Sequence, residues 1–131
     1  MKDEGGGMKD EGRRDLKERT REFALRIVRC YAALPRTTVA QVLGKQMLRA
    51  GTSVGAHYRE GVRSRSDAEF VSKLDGALQE LEETCYWLEL LAAEQLGSKT
   101  DLASIAVEAD ELTAILVTCV KKVKARVRGE G

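Results

Sequence analysis

Beyond residue 12, apolar residues recur along the chain at alternating steps of three and four. Leu16, Thr20, Phe23, Ile27, Cys30 and Leu34 share one face of a helix expected over about Arg13 to Leu34. Pro35 ends it, because the residue before proline disfavours the α region. Thr37 or Thr38 can cap a second helix reaching about Gly61, with Leu43, Met47, Ala50, Val54, His57 and Gly61 as its seam. A loop over 62–65 leads to Ser66 and Glu69, which form an S-x-x-E capping box. The third helix reaches about Leu96 with Gly97 as its stop, on a seam of Val71, Leu74, Leu78, Leu81, Cys85, Leu88 and Ala92. Thr100 caps a fourth helix running to about Arg128, on Leu102, Ile105, Ala109, Leu112, Leu116, Cys119 and Val123. Such helices joined by short loops predict an all-α, antiparallel up-down-up-down four-helix bundle. The period near 3.5 implies left-handed packing with crossing angles of about 20°.

Composition narrows the picture. The chain has 131 residues, with a single proline and 5% aromatics, which argues against an all-β fold. No apolar run approaches the ~20 residues of a membrane span and no signal peptide is visible, so a soluble, cytoplasmic protein is expected. The pentapeptide MKDEG occurs at 1–5 and again at 8–12. This polar, Gly-rich stretch reads as a disordered tail over 1–12, leaving 13–128 for the bundle. Cys30, Cys85 and Cys119 form no CxxC pair and read as small buried hydrophobes rather than a disulfide or zinc set. Phe70, Tyr86, Trp87, Leu90 and Leu91 lie beside the main seam of the third helix, and a second apolar stripe predicts self-association.

Charge is strongly polarised although the net value is only +1. Residues 13–36 carry a net +5 and 37–65 a net +4, whereas 66–97 carry −7. Three readings compete: contact with a nucleic-acid backbone, complementarity between subunits in a head-to-tail ring, and plain solubility. The candidate phosphate contacts are Arg21, Arg26, Arg29, Lys45, Arg59, Arg63 and Arg65. The run Lys121, Lys122, Lys124, Arg126 and Arg128 is a local basic cluster, for which complementarity to a helix C-terminus is one sufficient account.

The second helix departs from the others. Gly44, Gly51 and Gly55 lie in its interior, where glycine costs about 1 kcal/mol relative to alanine. Close backbone approach by another helix or a ligand would explain them. Gln46, Arg49, Ser53, His57 and Glu60 form a polar stripe beside the seam, with Arg49 expected to pair with Glu60, Ser53 or another helix. His57 and Glu60 make an H-x-x-E pair, but the chain has a single His and no inward E-x-x-H to complete a di-iron set. No nucleophile triad or P-loop is readable, so no catalytic residue, metal or cofactor is expected. The basic stretch Gly61 to Ser66 leads into a helix N-terminus, a geometry that can hold a phosphate, but the signal is weak and a solvated loop with a capping box is the favoured reading.

Gln46 to Ala50, then Ser53-Val-Gly-Ala-His-Tyr-Arg-Glu-Gly61, then Arg65 to Phe70, carry a specific resemblance. So do Leu74 to Gly76, Glu83 to Leu88, and Leu34-Pro35 between the first two helices. Over about residues 13–125 the chain resembles the four-helix-bundle proteins encoded in 23S rRNA intervening sequences. The accessory variability determinant proteins of diversity-generating retroelements are similar. The resemblance implies a homopentameric ring with a basic surface for RNA or DNA, and, in the retroelement branch, a reverse transcriptase and its template RNA as partners. Gln46, Arg49, Ser53, Tyr58, Glu60 and Gly61 match the family motif as a folding and assembly signature, and His57 stands where Asn is usual. Together these observations predict a non-enzymatic, homo-oligomeric nucleic-acid-binding accessory protein. The alternative is a structural or protein-interaction scaffold.

Overall fold

The computed structural model describes residues 4–129, with side chains from Leu16 onward. Four helices follow one another: α1 (Glu4–Ala32), α2 (Thr38–Val62), α3 (Asp67–Ala93) and α4 (Lys99–Val127). No strand occurs among the described residues, and no helix there is long and apolar enough to cross a membrane. α1 begins ahead of the expected Arg13, so part of the segment read as a disordered tail has helical backbone; residues 1–3 lie outside the described residues. Extending an existing helix adds one hydrogen bond per residue without a new nucleus.

The helix ends follow local chemistry. Thr37 caps α2 by accepting from Ala40 N at 3.2 Å. The turn before it is tied by Tyr31, whose hydroxyl donates to Gln41 Oε1 at 2.7 Å, and by Gln41 Nε2, which donates to the Pro35 carbonyl at 3.0 Å. Ser66 accepts from Glu69 N at 3.1 Å while Glu69 Oε1 accepts from Arg65 N at 3.2 Å, so the box closes one residue earlier than its usual form. α3 stops at a left-handed residue, but that residue is Gln95 (φ 59°) and not the expected Gly97. Leu96 N bonds to Leu91 O and Gln95 N to Ala92 O, the pair of bonds that defines a Schellman ending. Ser98, rather than Thr100, caps α4 by accepting from Asp101 N at 3.1 Å.

The core draws on all the helices. The expected α1 face holds throughout: Leu16, Thr20, Phe23, Ile27, Cys30 and Leu34 are buried. Thr20 satisfies its hydroxyl by donating to Leu16 O at 2.8 Å. On α2, Leu43 and His57 are only half-buried, and Ala40, Gly44, Gly51, Gly55 and Tyr58 join Met47, Ala50, Val54 and Gly61 inside. On α3, Leu74, Leu81 and Leu88 hold their places, but Val71, Leu78 and Cys85 are half-buried and Ala92 exposed. Ala77, Thr84 and Leu91 fill those inward positions. On α4, Val120 is buried where Cys119 was expected.

The glycines of α2 explain its approach to α1. A Cβ at Gly44 would lie 2.5 Å from Leu34 Cδ1, and one at Gly51 would lie 2.7 Å from Ile27 Cγ1. Gly55 opposes Thr20 in the same series, so residue numbers fall along α1 as they rise along α2. Glycine here is a packing device rather than a turn residue.

Candidate functional site

Three residues of the α2 polar stripe, Arg49, His57 and Glu60, find partners on α3. Arg49 Nη2 lies 2.7 Å from Glu83 Oε2 and 3.3 Å from Glu80 Oε1. Glu83 also accepts from Trp87 Nε1 at 3.1 Å. The hydrogen bonds from Arg49 and then Trp87 hold the Glu83 carboxyl below its ordinary range, and the bonds that Arg49 donates to Glu83 and Glu80 raise its guanidinium. Farther along, His57 Nε2 lies 3.7 Å from Glu80 Oε2 and its Nδ1 lies 3.6 Å from Glu60 Oε1. Lys73 Nζ reaches Glu60 at 3.4 Å. The His57 ring lies over Gly76, where a Cβ would stand 3.2 Å from Nδ1.

This network goes with the rotation of α3. Gly76, Glu80, Glu83 and Trp87 follow 4, 3, 4 along the helix and face α2, which turns Ala77, Thr84 and Leu91 inward. Thr84 tolerates burial because its hydroxyl donates to Glu80 O at 2.7 Å. Within the network, His57 Nδ1 and Glu80 Oε1 are buried without a hydrogen-bond partner, although Glu80 Oε1 lies within ion-pair distance of Arg49. Ser53 turns back on its own helix and donates to Arg49 O at 2.7 Å, while Gln46 is exposed. Tyr58 is buried, and Gly61 packs against Leu74 of α3. No group of three or more His, Cys, Asp or Glu among the described residues could hold a metal.

The candidate phosphate contacts fall into two groups. Arg21, Arg26 and Arg29 are carried along α1; Arg21 pairs with Glu22 at 3.2 Å, and Arg26 donates to Ser104 of α4. Lys45 is exposed beside Gly44, toward the α1–α2 turn. Arg59, Arg63 and Arg65 gather at the opposite end, in the last turn of α2, at its C-cap and in the following loop. The basic run of α4 arrives there too. Arg126 Nη2 lies 2.9 Å from Asp67 Oδ1, and Arg65 and Arg126 both line a shallow cleft of about 460 Å³ with Ser64, Ser66 and Phe70. The sequence showed that run as a cluster but gave no sign that it meets the α2–α3 loop.

The thiols offer no chemistry here. Burial pushes Cys30 up to about 11, helped by Asp101, and raises Cys85 and Cys119 as well. Thiolate is the nucleophilic form, so all three are poor nucleophiles near neutral pH.

A family model described as 23S rRNA-intervening sequence protein matches residues 14–118. No curated protein matches the chain. Among solved structures, the chain is similar to a protein of unknown function from the S23 ribosomal protein family of Bacteroides thetaiotaomicron. The two are 40% identical, with 81% of this chain and 98% of that chain covered and a TM-score of 0.74. The chain belongs to the 23S rRNA-intervening sequence protein family.

Proposed function

We propose that this family member is a non-enzymatic accessory protein that binds the phosphate backbone of RNA or DNA through one end of its bundle. The observation that carries the reading is the convergence of two basic segments distant in sequence. Arg59, Arg63 and Arg65 come from the α2–α3 connection, and Lys121, Lys122, Lys124 and Arg126 from the end of α4. Phosphate contacts of this kind position a nucleic acid without reading its sequence. Arg21, Arg26, Arg29 and Lys45 lie along the helices or toward the other end and play a smaller part.

In this reading each subunit is an antiparallel up-down-up-down bundle, and five of them form a ring in the cytoplasm. The antiparallel topology is supported by opposed numbering at the α1–α2 seam and by the Asp67–Arg126 pair joining the start of α3 to the end of α4. A reverse transcriptase is the protein partner to test first. The second reading is a scaffold without a nucleic-acid role. The α2–α3 network favours it for the motif residues, since Arg49, His57 and Glu60 all face partners within the chain.

Fluorescence anisotropy of a labelled structured RNA at ~50 and ~200 mM salt, with duplex DNA as comparator, tests the proposal. Affinity should fall steeply with salt. Joint replacement of Arg59, Arg63 and Arg65 by Ala should lower the salt slope by up to about 3. Equal affinity and slope in a folded variant would leave the scaffold reading standing.

A further inference from the structure

Beyond Asp67 and Glu69 in its first turn, the carboxylates of α3 divide into two sets. Glu80 and Glu83 turn toward α2 and meet Arg49. Asp75, Glu82 and Glu89 lie on the opposite side in one exposed stripe, Ser72, Asp75, Gln79, Glu82, Tyr86, Glu89, which steps by three and four along the helix. These three carboxylates make no ion pair with any described residue. Nor does α3 supply a cation to offset them, because its single basic residue, Lys73, faces Glu60. Solvated helix faces commonly intersperse both signs, which gains a few tenths of a kcal/mol per pair. This face has one sign only.

Tyr86 stands in the middle of that stripe and is 53% exposed. Its ring is braced from behind by Trp87, at a centroid separation of 5.1 Å and a tilt of 59°. Trp87 is itself anchored by its bond to Glu83. The stripe therefore offers an oriented aromatic face with a carboxylate one turn away on either side, Glu82 and Glu89. A guanidinium fits both features, because it stacks on aromatic faces and bonds carboxylates bidentately.

We infer that the outer face of α3 is a docking surface for an arginine-rich segment of a second protein, with one arginine stacked on Tyr86 and its neighbours paired with Asp75, Glu82 and Glu89. Nucleic acid is repelled by the same charges, so this surface and the basic end of the bundle would serve different partners. The inference does not depend on nucleic-acid binding.

The probe is a fluorescein-labelled helical peptide with arginines spaced three, four and seven apart, titrated by anisotropy against the intact protein in its native assembly at ~50 mM salt. Saturable binding is expected. Tyr86→Ala, which leaves the charge unchanged, should weaken it about fivefold, and the double variant Glu82→Lys/Glu89→Lys about tenfold or more. A lysine peptide of equal charge should bind more weakly. Absence of binding, or equal binding to Tyr86→Ala and wild type, overturns the inference. So does sedimentation showing that Glu82→Lys/Glu89→Lys takes the assembly apart, because the face would then be occupied by another copy of the chain.

Discussion

Two seams of the bundle are built on opposite plans. Between α1 and α2, side chains are removed: Gly44, Gly51 and Gly55 let the backbones close until Leu34, Ile27 and Thr20 fill the space a Cβ would need. Between α1 and α4, contact is sparser and long side chains reach across. Arg19 bonds Glu108 through Nε at 3.2 Å and Nη2 at 2.8 Å, and extends to Glu111 at 3.0 Å, while Arg26 reaches Ser104. Close-packed seams draw on dispersion and excluded water, which salt hardly affects. Bridged seams draw on partly solvated charge, which salt screens. Shape fixes the one and electrostatics the other.

The largest effect should come from filling the close seam. Gly51→Val places methyls where Ile27 already lies, and overpacking of this kind costs about 1–3 kcal/mol. Urea unfolding at low and high salt should show the same loss in both. Arg19→Ala should cost about 1 kcal/mol at low salt, since Arg19 and Glu108 are both partly shielded from solvent. Most of that loss should vanish near ~1 M salt, where the Debye length is about 3 Å. If the Arg19 loss persists at high salt, the contrast between the seams fails.

A smaller effect concerns acid. The Glu83 carboxyl is depressed in the fold, so it stabilises the protein above its ordinary value of 4.5. That contribution should fade as pH falls through the lower folded value. Thermal unfolding between pH 6 and pH 3, compared with Glu83→Gln, should show the two proteins converging at the acid end. A constant gap across the range would mean that the Arg49 contact does not tune Glu83.

Helix number, approximate boundaries and the α1 face were legible in the sequence because spacing, Pro35, Thr37 and Ser66 act locally. The rotation of α3 was not. Val71, Leu78 and Cys85 are more apolar than Ala77 and Thr84, so periodicity alone pointed to the face that the fold leaves half-buried. The face that turns inward is the one that brings Glu80 and Glu83 to Arg49 and His57 on another helix. The same reason hid Glu80 and Glu83 as partners, although Gly76, Glu80, Glu83 and Trp87 share one helical face by their spacing, as the α2 stripe does. Gln95 was missed as the α3 stop because its left-handed conformation is rare for a side chain other than Gly or Asn.

The glycines of α2 also bear on when this helix can exist. Each lowers its intrinsic helicity by about 1 kcal/mol relative to alanine, and a lone helix in water is marginal even with favourable composition. Yet α2 is the element that touches both α1 and α3 along its length. During synthesis it leaves the ribosome before α3 does, with only one of its two supports in place. The second helix is thus expected to stay uncommitted until the third emerges, so that the first three elements become ordered together.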